Sequence, residues 1–395
     1  MKIQVVWRLL LLWPVLLSCE SSPKSGAEAK VAKPAATRTM STELPAARPV
    51  GAPFVGYHRY RGTVGNMPVT VELTVGPEYA GDSVRCLGHY YYDRFGGELA
   101  LKAGRPWQPN KPLALAEMLE QLDGSTQPAT AHWQAAQPIG PVLTGTWTNT
   151  AGRQLPFALH EDYDGAVRYE LLRETADGGK CRASEEGDRQ YDLEATEYYL
   201  HLLGPDTLQP GLRRLQCPVP AQRRAELQQE LKGLGCEAER YGTSIYREVT
   251  YNANGLLSLI QSEDESLGGP YPPGTNTAYT YDLATGKACD VRNWLRPDKA
   301  SAVAELFDRA LRADSIGQQY AGDKAAAGAS QKVKLADLPA FGLNSEGLFE
   351  TLGNLGAPHV VQRLPITIAY AKLAPYVRPN TPLARLLQAR GLRKP

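Results

Sequence analysis

The sequence lacks an excess of charge of either sign, since 43 Lys and Arg residues stand against 42 Asp and Glu residues, for a formal net charge of +1. Proteins that bind nucleic acid usually carry a basic excess, so this balance argues against nucleic acid as a partner. Only one long hydrophobic run is present, at the N-terminus, which excludes a multi-pass membrane protein. No Cys-x-x-Cys pair occurs among the six cysteines, so neither a zinc ribbon nor a thioredoxin-like site is supported.

Familiar catalytic motifs are missing as well. No Gly-x-Ser-x-Gly elbow, His-Glu-x-x-His helix, P-loop or Gly-x-Gly-x-x-Gly turn occurs in the chain. The sequence therefore predicts no catalytic residue, no metal site and no cofactor. With 395 residues, 43% of them hydrophobic, the chain is long and apolar enough to bury the cores of two or three domains.

The N-terminal apolar run, Val5 to Leu17, is too short to span a bilayer and is typical of the h-region of a signal peptide. It leads into Leu16-Leu17-Ser18-Cys19, which resembles the cleavage signal of bacterial lipoproteins. The resemblance implies a signal peptide over residues 1–18 and acyl chains such as palmitate on Cys19, which together give stable membrane anchoring. The alternative is an ordinary secretory signal that carries a cysteine there by chance.

Residues 19–52 are rich in Ser, Ala, Pro, Lys and Thr and have no hydrophobic periodicity, which predicts a disordered tether. Glu20 follows Cys19, the cysteine of the lipoprotein signal (the lipobox, residues 16–19), whereas an Asp there would resemble the inner-membrane retention signal of Gram-negative lipoproteins. We therefore expect a protein of the cell envelope that is attached through its lipid to the outer membrane of a Gram-negative bacterium.

Five cysteines remain beyond the lipobox, and export makes disulfides chemically accessible to them. An odd number leaves at least one thiol free, and the two that flank a predicted helix, Cys217 and Cys236, form the favoured pair. The five are Cys86, Cys181, Cys217, Cys236 and Cys289.

Residues 53–163 predict a β-rich domain, and the chain as a whole an α+β protein. Apolar residues alternate with polar ones from Val69 to Val75, which is the pattern of a strand with one buried face. Short strand-like stretches with turn signals between them favour an antiparallel β meander closed as a barrel or folded as a sandwich. The predicted strands are Val69–Val75, Val84–Tyr92, Leu99–Lys102, Leu113–Leu119, Thr130–Gln134, Val142–Trp147 and Leu155–Leu159.

Aromatic residues of this domain allow two interpretations. Flat rings with polar edges suit sugar rings, which would make the domain a carbohydrate-binding module. The plainer interpretation is that alternate tyrosines in Tyr90-Tyr91-Tyr92 line the core while the others face solvent. The stretches Gly62–Thr70 and Gly88–Asp93 resemble small β domains of secreted bacterial proteins, and that resemblance implies no activity.

Residues 164–395 predict an α+β domain. Asn254-Gly255 lies between two strand-like runs and is a strong hairpin signal, because both positions accept a positive φ. Further predicted elements are the strand Tyr191–Leu203, the helix Ala221–Leu234, the strand Asn276–Leu283, a helix capped by Asp298, the strand Leu364–Tyr370 and a helix that begins at Thr381-Pro382. The segment 165–242 resembles no family.

Several pieces between residues 247 and 376 occur in an order that resembles one known domain. They are Asn254–Ser258, Gly268–Pro272, Tyr281–Lys287, Trp294-Leu295 and Pro365–Tyr376. Their order is similar to the C-terminal domain of lysozyme-binding anti-sigma factors, which also accompanies some peptidoglycan deacetylases outside their catalytic part. The resemblance implies a binding role, although Tyr271 stands where that family usually has His.

Two candidate sites follow from this part of the sequence. Gly and Pro residues fix the path of the loop after residue 267, so Gly268, Gly269 and Tyr271, with Trp294, form a candidate binding loop. Clustered carboxylates precede the loop and could bind a cation or act as an acid/base pair, although a solvated strand end is the simpler interpretation. These carboxylates are Glu263, Asp264 and Glu265.

The sequence as a whole favours a lipid-anchored envelope protein that binds a protein or a cell-wall glycan and is not an enzyme. One alternative is a hydrolase or deacetylase that acts on cell-wall sugars through Asp and Glu residues. Another is a structural scaffold subunit of the outer membrane. Converging carboxylates in a pocket would favour the enzyme, and an exposed aromatic face would favour binding.

Overall fold

Eight antiparallel strands near the N-terminus close into a barrel, because β1 pairs with both β2 and β8. The antiparallel β-rich architecture expected of this region is thereby confirmed, in its barrel form. The strands are β1 Gly56–Val64, β2 Met67–Pro77, β3 Val84–Tyr92, β4 Leu99–Ala103, β5 Ala114–Met118, β6 Ala131–Ala135, β7 Val142–Asn149 and β8 Gln154–Glu161.

This computed structural model describes residues 56–77, 84–104, 107–108, 110–118, 128–182, 190–203, 220–234, 242–266, 274–314, 317–318, 341–352 and 364–393. The signal peptide and tether predicted over residues 1–52, Cys19 among them, lie outside the described residues. Pro53–Pro395 form one compact unit. None of the described helices is long and apolar enough to cross a membrane.

The interior of the barrel is filled by side chains. Val69, Val71, Leu73 and Val75 of β2 all point inward and are at most 1% exposed, as their alternation predicts. Larger rings fill the remaining space, with Trp133 only 4.9 Å from Tyr90 and 5.0 Å from Phe157 between ring centroids. Rings at these separations add packing energy of roughly 0.5–1.5 kcal/mol per pair beyond the area that they bury.

Tyr91 departs from the expected alternation of buried and exposed tyrosines. Tyr90 points into the barrel and is 1% exposed, yet its neighbour on the outer face, Tyr91, is also only 4% exposed. The outer face is covered here by the C-terminal part of the chain, since the guanidinium carbon of Arg390 lies 5.7 Å from the centroid of the Tyr91 ring. Both faces of β3 are therefore buried at this point.

A six-stranded sheet follows the barrel, in the order β14-β13-β12-β11-β10-β9. Its strands are β9 Arg168–Arg182, β10 Gln190–Leu203, β11 Gly242–Ala253, β12 Leu256–Ser266, β13 Gly274–Asp282 and β14 Lys287–Ala288. The β11–β12 turn is the predicted hairpin, and Asn254 and Gly255 take φ values of 55° and 76°. The strands β10 and β11 are parallel, which requires a long crossover, and helix α1 (Pro220–Leu234) lies within it.

Strand β9 has no clear signal in the sequence and was not predicted. Glu174 in β9 and Glu197 in β10 are 7% and 2% exposed, so acidic residues occupy positions that an amphipathic pattern would give to apolar ones. Each carboxylate is neutralised by α1, since Glu174 pairs with Arg224 at 2.6 Å and Glu197 with Arg223. The buried glutamates interrupt the alternation of apolar and polar residues, and their arginine partners are distant in sequence. The strand therefore has no recognisable pattern in the sequence.

The C-terminal part adds a small three-stranded sheet and, within its described residues, the helices α2, α3 and α4, which pack around the largest apolar core. These elements are β15 Gly342–Leu343, β16 Gly347–Thr351, β17 Pro365–Ala369, α2 Ala300–Ala313, α3 Tyr370–Leu373 and α4 Pro382–Ala389. Thr381 caps α4 as expected, and its hydroxyl accepts a hydrogen bond from the backbone N–H of Ala384 at 3.2 Å. Asp298 does not cap α2, because it lies in a short 3-10 turn and Lys299 takes the N-cap position.

A glycine in β3 is required by a close approach of two strands. A Cβ atom on Gly88 would lie 1.9 Å from the backbone carbonyl oxygen of Glu72, a contact that no packing adjustment of side chains can relieve. We expect Gly88→Ala to destabilise the protein by more than the roughly 1–3 kcal/mol typical of overpacking, measured as a lower urea midpoint. Gly104→Ala is the control, since a Cβ there meets no atom within 4 Å. Equal midpoints for the two variants would contradict this account.

Candidate functional site

The structure describes part of the two predicted sites. Trp294 is 6% exposed and packs in the C-terminal core, so its ring is not available to an external ligand. Glu263 lies exposed near the end of β12 and accepts a hydrogen bond from Gln261 at 2.7 Å, and Asp264 beside it is half-buried. The remaining predicted positions lie outside the described residues or have side chains that are not described: Glu265, Gly268, Gly269 and Tyr271.

Two cysteines, Cys86 and Cys289, are free thiols. Cys86 is buried in the barrel core, where burial raises the pKa of its thiol to about 12, and Cys289 is half-buried. The predicted Cys217–Cys236 pair lies outside the described residues, and the side chain of Cys181 is not described.

A cleft of about 800 Å³ lies where the outer face of the barrel meets the C-terminal part of the chain. Its walls come from four separate segments: strands β1 to β3 with the turn after β3, the linker after β8, the tip of the β11–β12 hairpin and the end of α4. Four arginines and two aspartates supply its charge. These six residues are Arg59, Arg61, Arg94, Arg390, Asp93 and Asp164.

Arg390 lies among three tyrosine rings. It follows α4 directly, and the chain reverses at Gly391, whose φ is +69°. The guanidinium carbon lies 4.9 Å from the ring centroid of Tyr370, 5.8 Å from that of Tyr251 and 5.7 Å from that of Tyr91. A cation beside an aromatic face gains roughly 0.5–2 kcal/mol per contact, the upper end applying where water is excluded.

The remaining contacts of Arg390 are neutral. One guanidinium N–H donates to the backbone carbonyl oxygen of Ser345, and the adjacent C-terminus of α4 presents the negative end of its helix dipole. Among the described residues, no carboxylate lies within ion-pair distance of this guanidinium. Arg390 is thus a largely buried cation whose described partners carry no full negative charge.

The tyrosines around Arg390 stay neutral at ordinary pH. Burial raises the pKa of Tyr370, Tyr251 and Tyr91 above the usual value of 10.0 for a phenol. Burial by itself would lower the pKa of Arg390, but these same tyrosines outweigh that effect and the net pKa is raised. The group therefore holds a fixed positive charge over a wide pH range.

Two of the other arginines already have acidic partners. Arg59 is 3% exposed, donates to the backbone carbonyl oxygen of Asp162 at 2.7 Å and lies 4.0 Å from the carboxylate of Glu72. Arg61 is more open and reaches Asp93 at 3.5 Å and Asp162 at 3.7 Å. Arg94 is exposed and stands over the ring of Phe95, itself 72% exposed, at the turn after β3.

A second polar cluster joins the end of the barrel to the sheet. The Nδ1 atom of His58 lies 2.9 Å from Glu161, and Arg168 of β9 donates to both carboxylate oxygens of Glu161 at 3.1 Å. The hydroxyl of Tyr163 also donates to Glu161, at 3.2 Å. These three partners hold the Glu161 carboxylate in place. We therefore assign the cluster a structural role, that of joining the barrel to the sheet.

No protein-family model matches the chain, and no curated protein matches it. Among solved structures it is similar to a member of the DUF3298 family from Bacteroides fragilis, with 14% identity and a TM-score of 0.40 over 57% of this chain and 100% of that one. It is also similar to a DUF3298 family protein from Pseudomonas aeruginosa, with 18% identity and a TM-score of 0.37 over 55% of this chain and 98% of that one. Likenesses at this level assign no function to the chain, and the resemblance to lysozyme-binding anti-sigma factors stays a prediction.

Neither the arginine cleft nor the cluster around Glu161 was predicted from the sequence. The cleft brings together Arg59 near the start of the described chain and Arg390 near its end, so no local motif contains it. The one signal available was the placement of arginine directly after the last predicted helix, which many helices share for reasons of the helix dipole.

The cluster around Glu161 makes stability depend on pH. Burial alone would raise the pKa of Glu161, but hydrogen bonding to His58 and the charge of Arg168 outweigh it and the pKa falls below 4.5. A depressed carboxylate pKa contributes stability that is complete above pH 4.5 and is lost as the pH falls through the folded-state pKa. We expect Glu161→Gln to lower the urea midpoint clearly at pH 7 and less at pH 3.

The control for this experiment is Glu305→Gln, at an exposed position on α2. Its urea midpoint should follow that of the unchanged protein at both pH values. If Glu161→Gln lowered the midpoint equally at pH 7 and pH 3, the carboxylate charge would not be the source of the stability.

Proposed function

We propose that this protein is anchored by lipid in the bacterial cell envelope, where it binds peptidoglycan through the arginine cleft and does not catalyse a reaction. The anchor follows from the resemblance of residues 16–19 to the lipoprotein signal. The observation that carries the binding role is Arg390, a largely buried cation without a described carboxylate partner in the wall of an open cleft of about 800 Å³. Buried charges are usually paired, so the unpaired one marks a place for a ligand.

The chemistry of the cleft favours binding over catalysis. A guanidinium group does not give up its proton at physiological pH, so the four arginines can hold a ligand but cannot serve as general acids or bases. Tyr91 and Tyr251 are not available as general bases either, because burial raises their pKa values and keeps them protonated. The aspartates are engaged in part, because Asp93 accepts a hydrogen bond from Thr70 at 2.7 Å and pairs with Arg61.

The form of the cleft supports a cell-wall fragment as the ligand. A volume of about 800 Å³ lies in the range of sites that enclose a small molecule or a short oligomer, whereas a protein partner usually meets a flatter and larger surface. Peptidoglycan offers carboxylates on its peptides together with hydroxyl groups on its sugars, and both suit guanidinium and tyrosine groups.

The lipid anchor is tested by metabolic labelling with radioactive palmitate. We expect the unchanged chain to carry the label and to sediment with membranes, and Cys19→Ala to lose both properties. Cys289→Ala is the control and should keep the label, since its thiol lies half-buried in the folded part. Label that persisted on the Cys19→Ala variant would overturn the anchor.

Peptidoglycan binding is tested by sedimentation of the full chain, purified in detergent, with insoluble sacculi. We expect the protein to sediment with sacculi and to remain soluble without them, and the sacculi to release neither reducing sugar nor acetate. Protein that stayed in solution would contradict the proposal. Release of sugar or acetate that depended on Glu263 or Asp264 would favour the hydrolase or deacetylase instead.

A further inference from the structure

We propose that Arg390 binds a carboxylate group of the ligand in the arginine cleft. This inference rests on the binding role proposed above and names the chemical group that the site recognises. It goes further than a basic surface, because it assigns one guanidinium as the anchor and one class of anion as its partner.

The positive charge on Arg390 has no carboxylate partner among the described residues. Its side chain is largely buried between three tyrosine rings, and the described residues place no carboxylate within ion-pair distance of it. A buried ion without a counter-ion is unfavourable, and proteins normally pair such a group. The cleft gives a ligand anion access to this position, since Arg390 itself lines the cleft wall.

The guanidinium of Arg390 keeps N–H donors that a ligand can use. An arginine side chain has five N–H donors, and one of those on Arg390 is directed to the backbone carbonyl of Ser345. A second N–H of Arg390 donates to the hydroxyl of Tyr251, and the faces of the tyrosine rings attract the cation without accepting its remaining N–H groups. A planar carboxylate can accept two parallel hydrogen bonds from the edge of a guanidinium group.

The charge of the cleft wall favours a carboxylate over a phosphate. Asp93 and Asp164 also line the cleft, so a dianion would meet more repulsion from the wall than a monoanion. Arg59 and Arg61 already lie beside acidic groups, which leaves Arg390, with the exposed Arg94 at the turn after β3, as the cations without an acidic neighbour in ion-pair distance among the described residues. A single negative charge matches this balance better than a double one.

The cleft is much larger than a carboxylate group. A carboxylate group alone occupies a small part of about 800 Å³, so the anion must be carried on a larger molecule. The hairpin tip at Ala253 and Asn254 and the barrel face at Thr70 supply small and polar contacts for the rest of it. A sugar–peptide fragment of peptidoglycan has both the carboxylate and the polar body.

The test is a calorimetric titration of the full chain, purified in detergent, with a disaccharide–tetrapeptide released from peptidoglycan. The same probe with its carboxylates converted to amides is the ligand-side control. We expect amidation to weaken binding at least tenfold, and 10 mM inorganic phosphate to leave the affinity for the unmodified probe unchanged within a factor of two. Equal affinities for the two probes, or strong competition by phosphate, would overturn the carboxylate assignment.

Two variants test the residue. Arg390→Gln should bind the unmodified probe at least tenfold more weakly and should no longer distinguish it from the amidated one. Arg385→Gln, on the exposed face of the same helix, should behave as the unchanged protein does. An Arg390→Gln protein that still discriminated between the probes would exclude Arg390 as the anchor. Urea midpoints establish that each variant is folded, and if Arg390→Gln is not, the amidated probe on the unchanged chain decides.

The outcomes separate this inference from the proposed function. Sedimentation with sacculi that does not depend on carboxylates would leave peptidoglycan binding in place and remove the role of Arg390. Failure of the unchanged chain to sediment with sacculi would remove both. Sedimentation with sacculi without binding of the unmodified probe would remove only the role of Arg390.

Discussion

The burial of the outer face of β1 to β3 is the constraint on which the rest of the structure depends. A barrel strand normally has one face in the core and one in water, but here the C-terminal part of the chain covers the second face as well. Polar residues on that face must then be paired or surrounded by groups that favour them. Arg59 lies beside Glu72, and Arg390 lies among tyrosine rings, as this requirement demands. The cleft forms where the cover is incomplete.

The strands and turns with local signals were predictable from the sequence. The alternation from Val69 to Val75 predicted which face of β2 is buried, and Asn254-Gly255 predicted the hairpin between β11 and β12, because both depend on residues that are neighbours in the chain. The helix that begins at Pro382 was predicted from the capping side chain of Thr381 and from the proline at the first helical position.

The features that escaped prediction depend on distant partners. Glu174 and Glu197 are buried acids whose charges are balanced by arginines of α1, so the strand that contains Glu174 has no clear apolar face. Tyr91 is buried because of residues near the C-terminus, and the cleft needs four segments at once. Such contacts form only between segments that are distant in sequence, so they produce no hydrophobic periodicity within any one segment.

Closure of the barrel has a consequence for the order of folding. The first strand pairs with the eighth, from Tyr60 with Glu161 to Val64 with Phe157, so one edge of β1 stays unpaired until the chain has emerged as far as β8. The hydroxyl of Ser345, which donates to the carbonyl of Gly96 at 2.6 Å, can dock later still. A chain that emerges from its N-terminus therefore holds an open strand edge until β8 is available. We expect this non-local closure of the barrel to be the slow and aggregation-exposed step of folding.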